Sequence, residues 1–301
     1  MPARVAIILP VFNGARYIRE AIVAINAHTF TDWCLYIVDD NSSDESLTIV
    51  NSLPNTRRVV ISHDSNSGLY ARLAQVTQSL CEEWTSIIMQ DDRPKPNWLE
   101  AMLSVADCYP KVQALWATED IIDAQGILTR EGRDTGRLEL IQPGRLPWYS
   151  ILQRGCIWQI SGSLTRSELF RNIPFNPRLP HCGDYDWLLR AIRVSAFVYY
   201  ERPLIELRLH AGQASAGNLA SGKDIAESHS VVKSNLAAYP RDLTLLAGIA
   251  LSLARARVIL IRVAAALIHR RFGLALRLSP FVVRFAFIFV MPASTNLRKC
   301  K

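Results

Sequence analysis

The chain has 301 residues, half of them apolar and one fifth charged, which is the composition of a globular protein with an oily addition and is long enough to bury a large core. Its net charge of +7 is uneven: residues 241–301 carry 11 Lys or Arg against one acid, a charge of +10, so the first 240 residues sum to −3. That basic stretch is interleaved with Leu, Ile, Val and Phe, which suits an anionic membrane surface and excludes a nucleic-acid partner, and the six scattered cysteines, with no CxxC pair, exclude a zinc site or a disulfide framework.

Val5 to Leu9 reads as a fully buried strand, too short for a signal-peptide core and closed by Pro10, so export is not expected. After the turn Asn13-Gly14, Ile18, Ala21, Ile22 and Ile25 recur at helical spacing. Cys34 to Val38 is a second buried strand, and Asp39 to Asp44 then lead into a helix, with Ser42 and Glu45 spaced as a capping box. Val59 to Ser62 gives a third strand, Gly68 to Leu80 a helix, and Thr85 to Met89 a fourth strand, followed by Gln90-Asp91-Asp92. This alternation predicts an α/β fold around a mostly parallel central sheet.

Past Val112 the pattern is α+β, with a strand-turn-strand about Ala124-Gln125-Gly126, a helix from Asp184 to Ile192, and strands near Phe197 to Tyr200 and Leu204 to Leu209. From Leu243 the chain is apolar with arginines at intervals; Arg255, Arg262 and His269 fall seven apart on one helical face, and no uncharged run reaches the roughly 18 residues of a spanning helix. The composition shift near Tyr239-Pro240 divides a domain of residues 1–240 from amphipathic helices in 241–301, read as an interfacial membrane anchor or, alternatively, as packing and oligomer-forming helices. Phe281 to Met291, interrupted only by Arg284 and closed by Pro292, is a candidate to dip into the bilayer.

Open parallel sheets bind ligands beyond the carboxyl ends of their strands, and that is where Asn13, Asp39-Asp40 and Asp91-Asp92 fall. Asp44 reads as a helix cap. Two adjacent carboxylates repel unless they share a cation, and a hard divalent ion such as Mg²⁺ or Mn²⁺ would supply it and bridge to a diphosphate. The turn after the first strand lacks the glycine fingerprint of a dinucleotide-dependent oxidoreductase and the basic glycine-rich loop of a nucleotidyltransferase.

Three stretches, Val5 to Gly14, Val38 to Asp44 and Met89 to Asp92, together with Gly183 to Arg190 and Leu207 to Ser215, resemble the family 2 glycosyltransferases, which have the GT-A fold. The resemblance implies a donor site of Pro10, Val11, Phe12 and Asn13, with Val11 and Phe12 flanking the base. Asp39 would bond the base edge, Asp91 would lie near the ribose or metal, and Asp92 would ligate the metal. Asn66, Gly68 and Arg72 would run along the nucleotide, although Ala74 stands where related sequences often have Asn. Arg208 would stabilise the leaving phosphate and His210 would contact the metal or diphosphate. Asp184 is the first choice of general base and Asp186 the second, although Gly183 stands where the family often has Glu.

The implied activity is an inverting, metal-dependent transfer of a sugar from a nucleotide-diphosphate donor to an acceptor hydroxyl. The acceptor would be a glycan or lipid-linked intermediate of surface polysaccharide at the inner face of the cytoplasmic membrane. The alternative, kept open by Gly183, is a transferase-like scaffold that binds a nucleotide sugar or a partner without turnover.

Overall fold

The structure, a computed structural model, describes residues 2–54, 57–213, 217, 221–237 and 245–287. The compositional boundary at Tyr239-Pro240, the end of the resemblance at Ala214-Ser215, and Pro292 lie outside the described residues. The chain divides into two compact units, Met1–Pro147 with Cys156–His210, and Trp148–Gly155 with Ala211–Lys301. The helix Lys223–Ala237 therefore packs with the C-terminal helices, a division different from the compositional one.

The first unit is built on one sheet. Its strands are β1 (Val5–Val11), β2 (Trp33–Asp39), β3 (Arg58–Ser62), β4 (Trp84–Ile87), β5 (Arg93–Pro94), β6 (Val112–Ile122), β7 (Leu128–Arg130), β8 (Leu138–Ile141), β9 (Leu164–Arg166) and β10 (Ala196–Arg208). The order is β3-β2-β1-β4-β9-β6-β10-β5, with β7 on β6 and β8 on β10. The pairings β3-β2, β2-β1, β1-β4 and β6-β10 are parallel, and short β9 runs against both β4 and β6. Six strands thus run one way, and their carboxyl ends share one edge of the sheet.

The helices are α1 (Ile18–Asn26), α2 (Ser46–Ser52), α3 (Leu69–Ser79), α4 (Trp98–Cys108), α5 (Arg145–Arg154), α6 (Ser167–Asn172), α7 (Gly183–Ala191), α8 (Lys223–Ala237), α9 (Leu245–Ile268) and α10 (Phe272–Phe287); the last three and α5 from Trp148 onward belong to the second unit. The residues of α1 that recur at helical spacing, Ile18, Ala21, Ile22 and Ile25, are the ones it buries, against the alternate residues Val5, Ile7, Leu9 and Val11 of β1 and the inner face of α4. At roughly 1.5–3 kcal/mol for each large aliphatic side chain removed from water, this shared core is what fixes the sheet edge in place.

Two local expectations differ from what the fold contains. The segments Phe197 to Tyr200 and Leu204 to Leu209 are one strand, β10, whose register against β6 shifts around Pro203; proline has no N–H to give to the ladder, so the strand bulges there and resumes. The Ser42/Glu45 capping box does not form. α2 starts at Ser46, whose N–H is taken by Asp44 Oδ1 at 3.0 Å, while the Ser42 hydroxyl accepts the Asn13 N–H at 3.0 Å. The cross-loop bond has claimed the side chain that a box requires; the N-cap position is Glu45, and Asp44, one residue before it, accepts the first helical N–H in its place.

In the second unit α9 and α10 pack on each other, Ala256, Ile259, Val263, Ala266, Ala275 and Leu278 of the pair are buried, and Arg270 at φ +56° turns the chain between them. Among the described residues no helix is long and apolar enough to cross a membrane.

Candidate active site

The path of the chain places β2 and β3 on one side of β1 and β4 on the other, and such a switch opens a crevice beyond the strand ends. Pro10 and Val11 end β1 there, with Val11 buried, and Phe12 follows with 46% of its surface exposed. The Phe12 N–H donates to Gln90 Oε1 at 2.9 Å, and Gln90 Nε2 donates back to the Phe12 carbonyl at 3.1 Å. A Cβ on Gly14 would lie 2.3 Å from Gln90 Oε1, so this two-bond clasp requires glycine beside it. Asn13, at φ +48°, accepts the Ser43 N–H at 2.8 Å and so stitches the loop after β1 to the loop after β2.

The two acids after β2 have different occupations. Asp39 is 1% exposed; its Oδ2 accepts the Ser42 N–H at 3.2 Å, and its Oδ1 is buried with no partner. A buried carboxylate oxygen without a donor is costly, so this position lacks one hydrogen-bond donor that a ligand would bring. Asp40 accepts from Arg72 Nε at 2.6 Å, from the Ser67 N–H at 2.9 Å and from the Gly68 N–H at 2.7 Å. Burial pushes its carboxyl up, but these donors outweigh it and hold the group below the usual carboxylate range.

Arg72, which also donates to the Ser65 carbonyl, is buried and committed to this turn. Of the three residues expected along the nucleotide, Arg72 therefore holds the loop up from behind, and exposed Asn66 and half-buried Gly68 sit on the turn it supports. The reason is local: Gly68 enters α3 at φ +88°, and the turn before it needs its N–H groups satisfied.

Beyond β4, Asp92 is 4% exposed and accepts the Arg208 N–H on Oδ1 at 3.0 Å and the Ser161 hydroxyl. Burial first, and the charge of Asp91 second, push its carboxyl up to about 8 in spite of these donors. Asp91 Oδ2 meets His210 Nε2 at 3.0 Å, both side chains about 15% exposed. Arg208 corrects an expectation. Its guanidinium is fully buried, pairs with Glu20 at 2.6 Å, donates to the Asp91 carbonyl at 3.0 Å and lies 4.5 Å from the centre of the Tyr17 ring. Those partners enclose it, so it fastens the Asp91-Asp92 loop and does not face a leaving phosphate.

Helix α7 brings the other acids. Asp186 is 6% exposed and pairs with Arg190 Nε at 2.8 Å, one turn along the same helix. Asp184 accepts the Tyr185 N–H at 2.7 Å and is hydrogen-bonded by the Tyr70 hydroxyl and the Cys156 thiol. Burial outweighs these donors and raises its carboxyl above the usual range, whereas the second choice of base, Asp186, is neutralised by its own arginine. A Cβ on Gly183 would lie 2.4 Å from the Tyr70 ring. Gly183 is thus the space the ring occupies, which accounts for the departure from the family pattern. Gly183→Ala is expected to lower stability by about 1–3 kcal/mol through overpacking, read as a shifted midpoint in denaturant unfolding.

Sequence reasoning missed Gln90 and Tyr70. Gln90 carried a signal, being next to the acid pair; Tyr70 had none, since its role comes from Asp184, 114 residues away.

Among the described residues no three His, Cys, Asp or Glu side chains form a ready metal cluster. Asp91 and Asp92, adjacent at this edge, are nevertheless the carboxylate type of ligand that holds a hard cation when substrate phosphates and water complete its shell.

Residues 6–173, more than half of the chain, match the sequence profile of a family described as Glycosyl transferase family 2. A glycosyltransferase of Rickettsia felis is 29% identical over 215 residues, covering 70% of this chain and 35% of its own, so the chain spans about a third of that relative. Among solved structures, residues 1–349 of Staphylococcus aureus TarS in complex with UDP-GlcNAc superpose with a TM-score of 0.69 at 15% identity, covering 95% of this chain and 80% of that one. A mannosyltransferase of Pyrobaculum calidifontis in complex with GDP-Man and Mn²⁺ superposes with a TM-score of 0.56 at 15% identity, covering 96% and 85%.

Proposed function

Because this chain belongs to glycosyl transferase family 2 and has the GT-A fold, we propose that it is an inverting, metal-dependent glycosyltransferase that moves a sugar from a nucleotide-diphosphate donor to an acceptor hydroxyl. The observation that carries the reading is Asp92, a buried carboxyl next to Asp91 at the sheet edge where ligands bind. We assign catalysis to residues 1–240 and membrane contact to 241–301. The acceptor is a glycan or lipid-linked intermediate of surface polysaccharide, met at the inner face of the cytoplasmic membrane.

In this reading the exposed Phe12 ring and Val11 flank the base, and Asp39 Oδ1 accepts from its edge. Pro10, Asn13, Asn66, Gly68 and Arg72 shape the donor groove, with Asn13 and Arg72 acting as positioning residues through Ser43 and Asp40. Asp92, with Asp91 and His210 beside it, would hold Mg²⁺ or Mn²⁺, which when bound supplies positive charge against the departing diphosphate.

Asp184 takes the proton from the acceptor hydroxyl as that oxygen attacks the anomeric carbon. The bond from that carbon to the diphosphate oxygen breaks, its electron pair stays on the diphosphate, and the configuration inverts. The pairing of Asp186 with Arg190 favours Asp184 over Asp186 for this proton.

The test is the melting temperature of the purified protein with UDP, GDP, TDP and ADP, each with and without Mn²⁺, with UDP-GlcNAc and GDP-Man as intact donors. Metal-dependent stabilisation by one diphosphate supports the reading; no shift with any of them overturns it. Asp39→Ala is expected to weaken the preferred diphosphate by about 10- to 100-fold, the range of a hydrogen bond to a charged group, read by titration calorimetry.

A further inference from the structure

We propose that the outward face of the α9–α10 hairpin docks on an anionic lipid surface. Leu253, Leu260, Ile261, Ile268, Phe272 and Leu276 enter the acyl boundary, and Arg257, Arg270 and Arg271 meet the headgroups. This rests on the membrane reading above and goes beyond it by naming the face and its chemistry.

α9 is apolar on two opposite sides. One side, with Ala256, Ile259, Val263 and Ala266, is buried. On the other side Leu253, Leu260, Ile261 and Ile268 are 60%, 56%, 58% and 77% exposed, and their separations of seven, eight and fifteen residues put them in one stripe along the helix. Past the turn, Phe272 and Leu276 of α10, one turn apart, are 59% and 75% exposed. Large side chains left in water in such a row mark a contact surface, because isolated exposed leucines are ordinary but a contiguous stripe is not.

The charges select the partner. Residues 245–287 contain seven arginines and no acid, and Arg257, Arg270, Arg271 and Arg277 are exposed around the stripe. Two copies of this face placed together would oppose arginine to arginine, whereas an anionic bilayer offers an apolar interior under a negative surface.

Arg262 is held away from this face: it pairs with Asp224 of α8 at 2.6 Å. With no helix among the described residues able to span, the hairpin is suited to lie in the interface plane.

The test is sedimentation of the full chain with vesicles of phosphatidylcholine alone or mixed with phosphatidylglycerol, at low and high salt. Binding is expected to the anionic vesicles and to weaken with salt. The triple variant Ile268→Ser, Phe272→Ser, Leu276→Ser is expected to bind about 100-fold more weakly. Arg270→Gln with Arg271→Gln is expected to bind about 30-fold more weakly and with a shallower salt dependence. Val194→Ser, a matched exposed site in the first unit, serves as the unchanged control, and circular dichroism with melting temperature confirms that each variant is folded.

Vesicle binding that both multiple variants retain overturns the assigned face and leaves the membrane reading standing. Binding to no vesicle overturns both, as does a wild-type dimer that the triple variant converts to monomer without any lipid binding.

Discussion

Asp184→Asn is expected to lower kcat by about 10² to 10⁴ while leaving nucleoside-diphosphate binding unchanged, because a positioned base contributes to the transition state and not to the ground-state grip on the donor. Initial rates with the donor found by the melting panel, alongside calorimetric titration of the diphosphate, separate the two. The carboxamide keeps an oxygen to accept the Tyr185 N–H and the Tyr70 hydroxyl, so the fold is retained. A variant with near-normal kcat would remove Asp184 from the role and turn attention to Asp186.

The same carboxyl sets a pH dependence. Burial raises Asp184 above the usual carboxylate range, so the acidic limb of kcat is expected above that range, since the group must be ionised to act. The folded protein also binds this proton more tightly than the unfolded chain does. Stability is therefore lost as pH rises from the unfolded value through the folded one. Asp184→Asn lacks that loss, and at neutral pH it is expected to melt at a higher temperature than the wild type while being the poorer enzyme.

Asp92→Ala is expected to abolish the Mn²⁺-dependent part of diphosphate stabilisation, weakening metal-dependent binding by at least about 100-fold. Losing a partner of a metal ligand costs about 10- to 100-fold, and losing the ligand itself costs more. The readout is the melting shift with diphosphate and Mn²⁺ together, compared with diphosphate alone. A full metal-dependent shift in the variant would move the cation to Asp91 and His210, which stand at the same edge.

The first half of the fold was legible because β1 and β4 are buried on both faces and the first helix repeats apolar residues at helical spacing; Val5 to Val11 and Ile18 to Ile25 could hardly be read otherwise. The acids at the strand ends were legible for the same reason, since strand ends are where a sheet can leave polar groups. What each acid does was not. Asp39 and Asp40 are adjacent, yet consecutive residues point to opposite sides, and only the fold shows that one is taken by Arg72 and the other keeps a bare oxygen. The buried position of Arg208 depends on Glu20, 188 residues earlier, and local periodicity carries nothing at that distance. The spacing of arginines in α9 likewise says nothing of partners: Arg262 is paired with Asp224, 38 residues earlier.

The fit of the Tyr70 ring over Gly183 ties two positions that are far apart in the chain into a single steric choice. Related chains that carry glutamate before the first acid of this helix must fill the same volume with a side chain at that point, and so are expected to have a small residue where this one has Tyr70. The two positions should then vary together across the lineage, large against small, with each intermediate that changes only one of them less stable than either end.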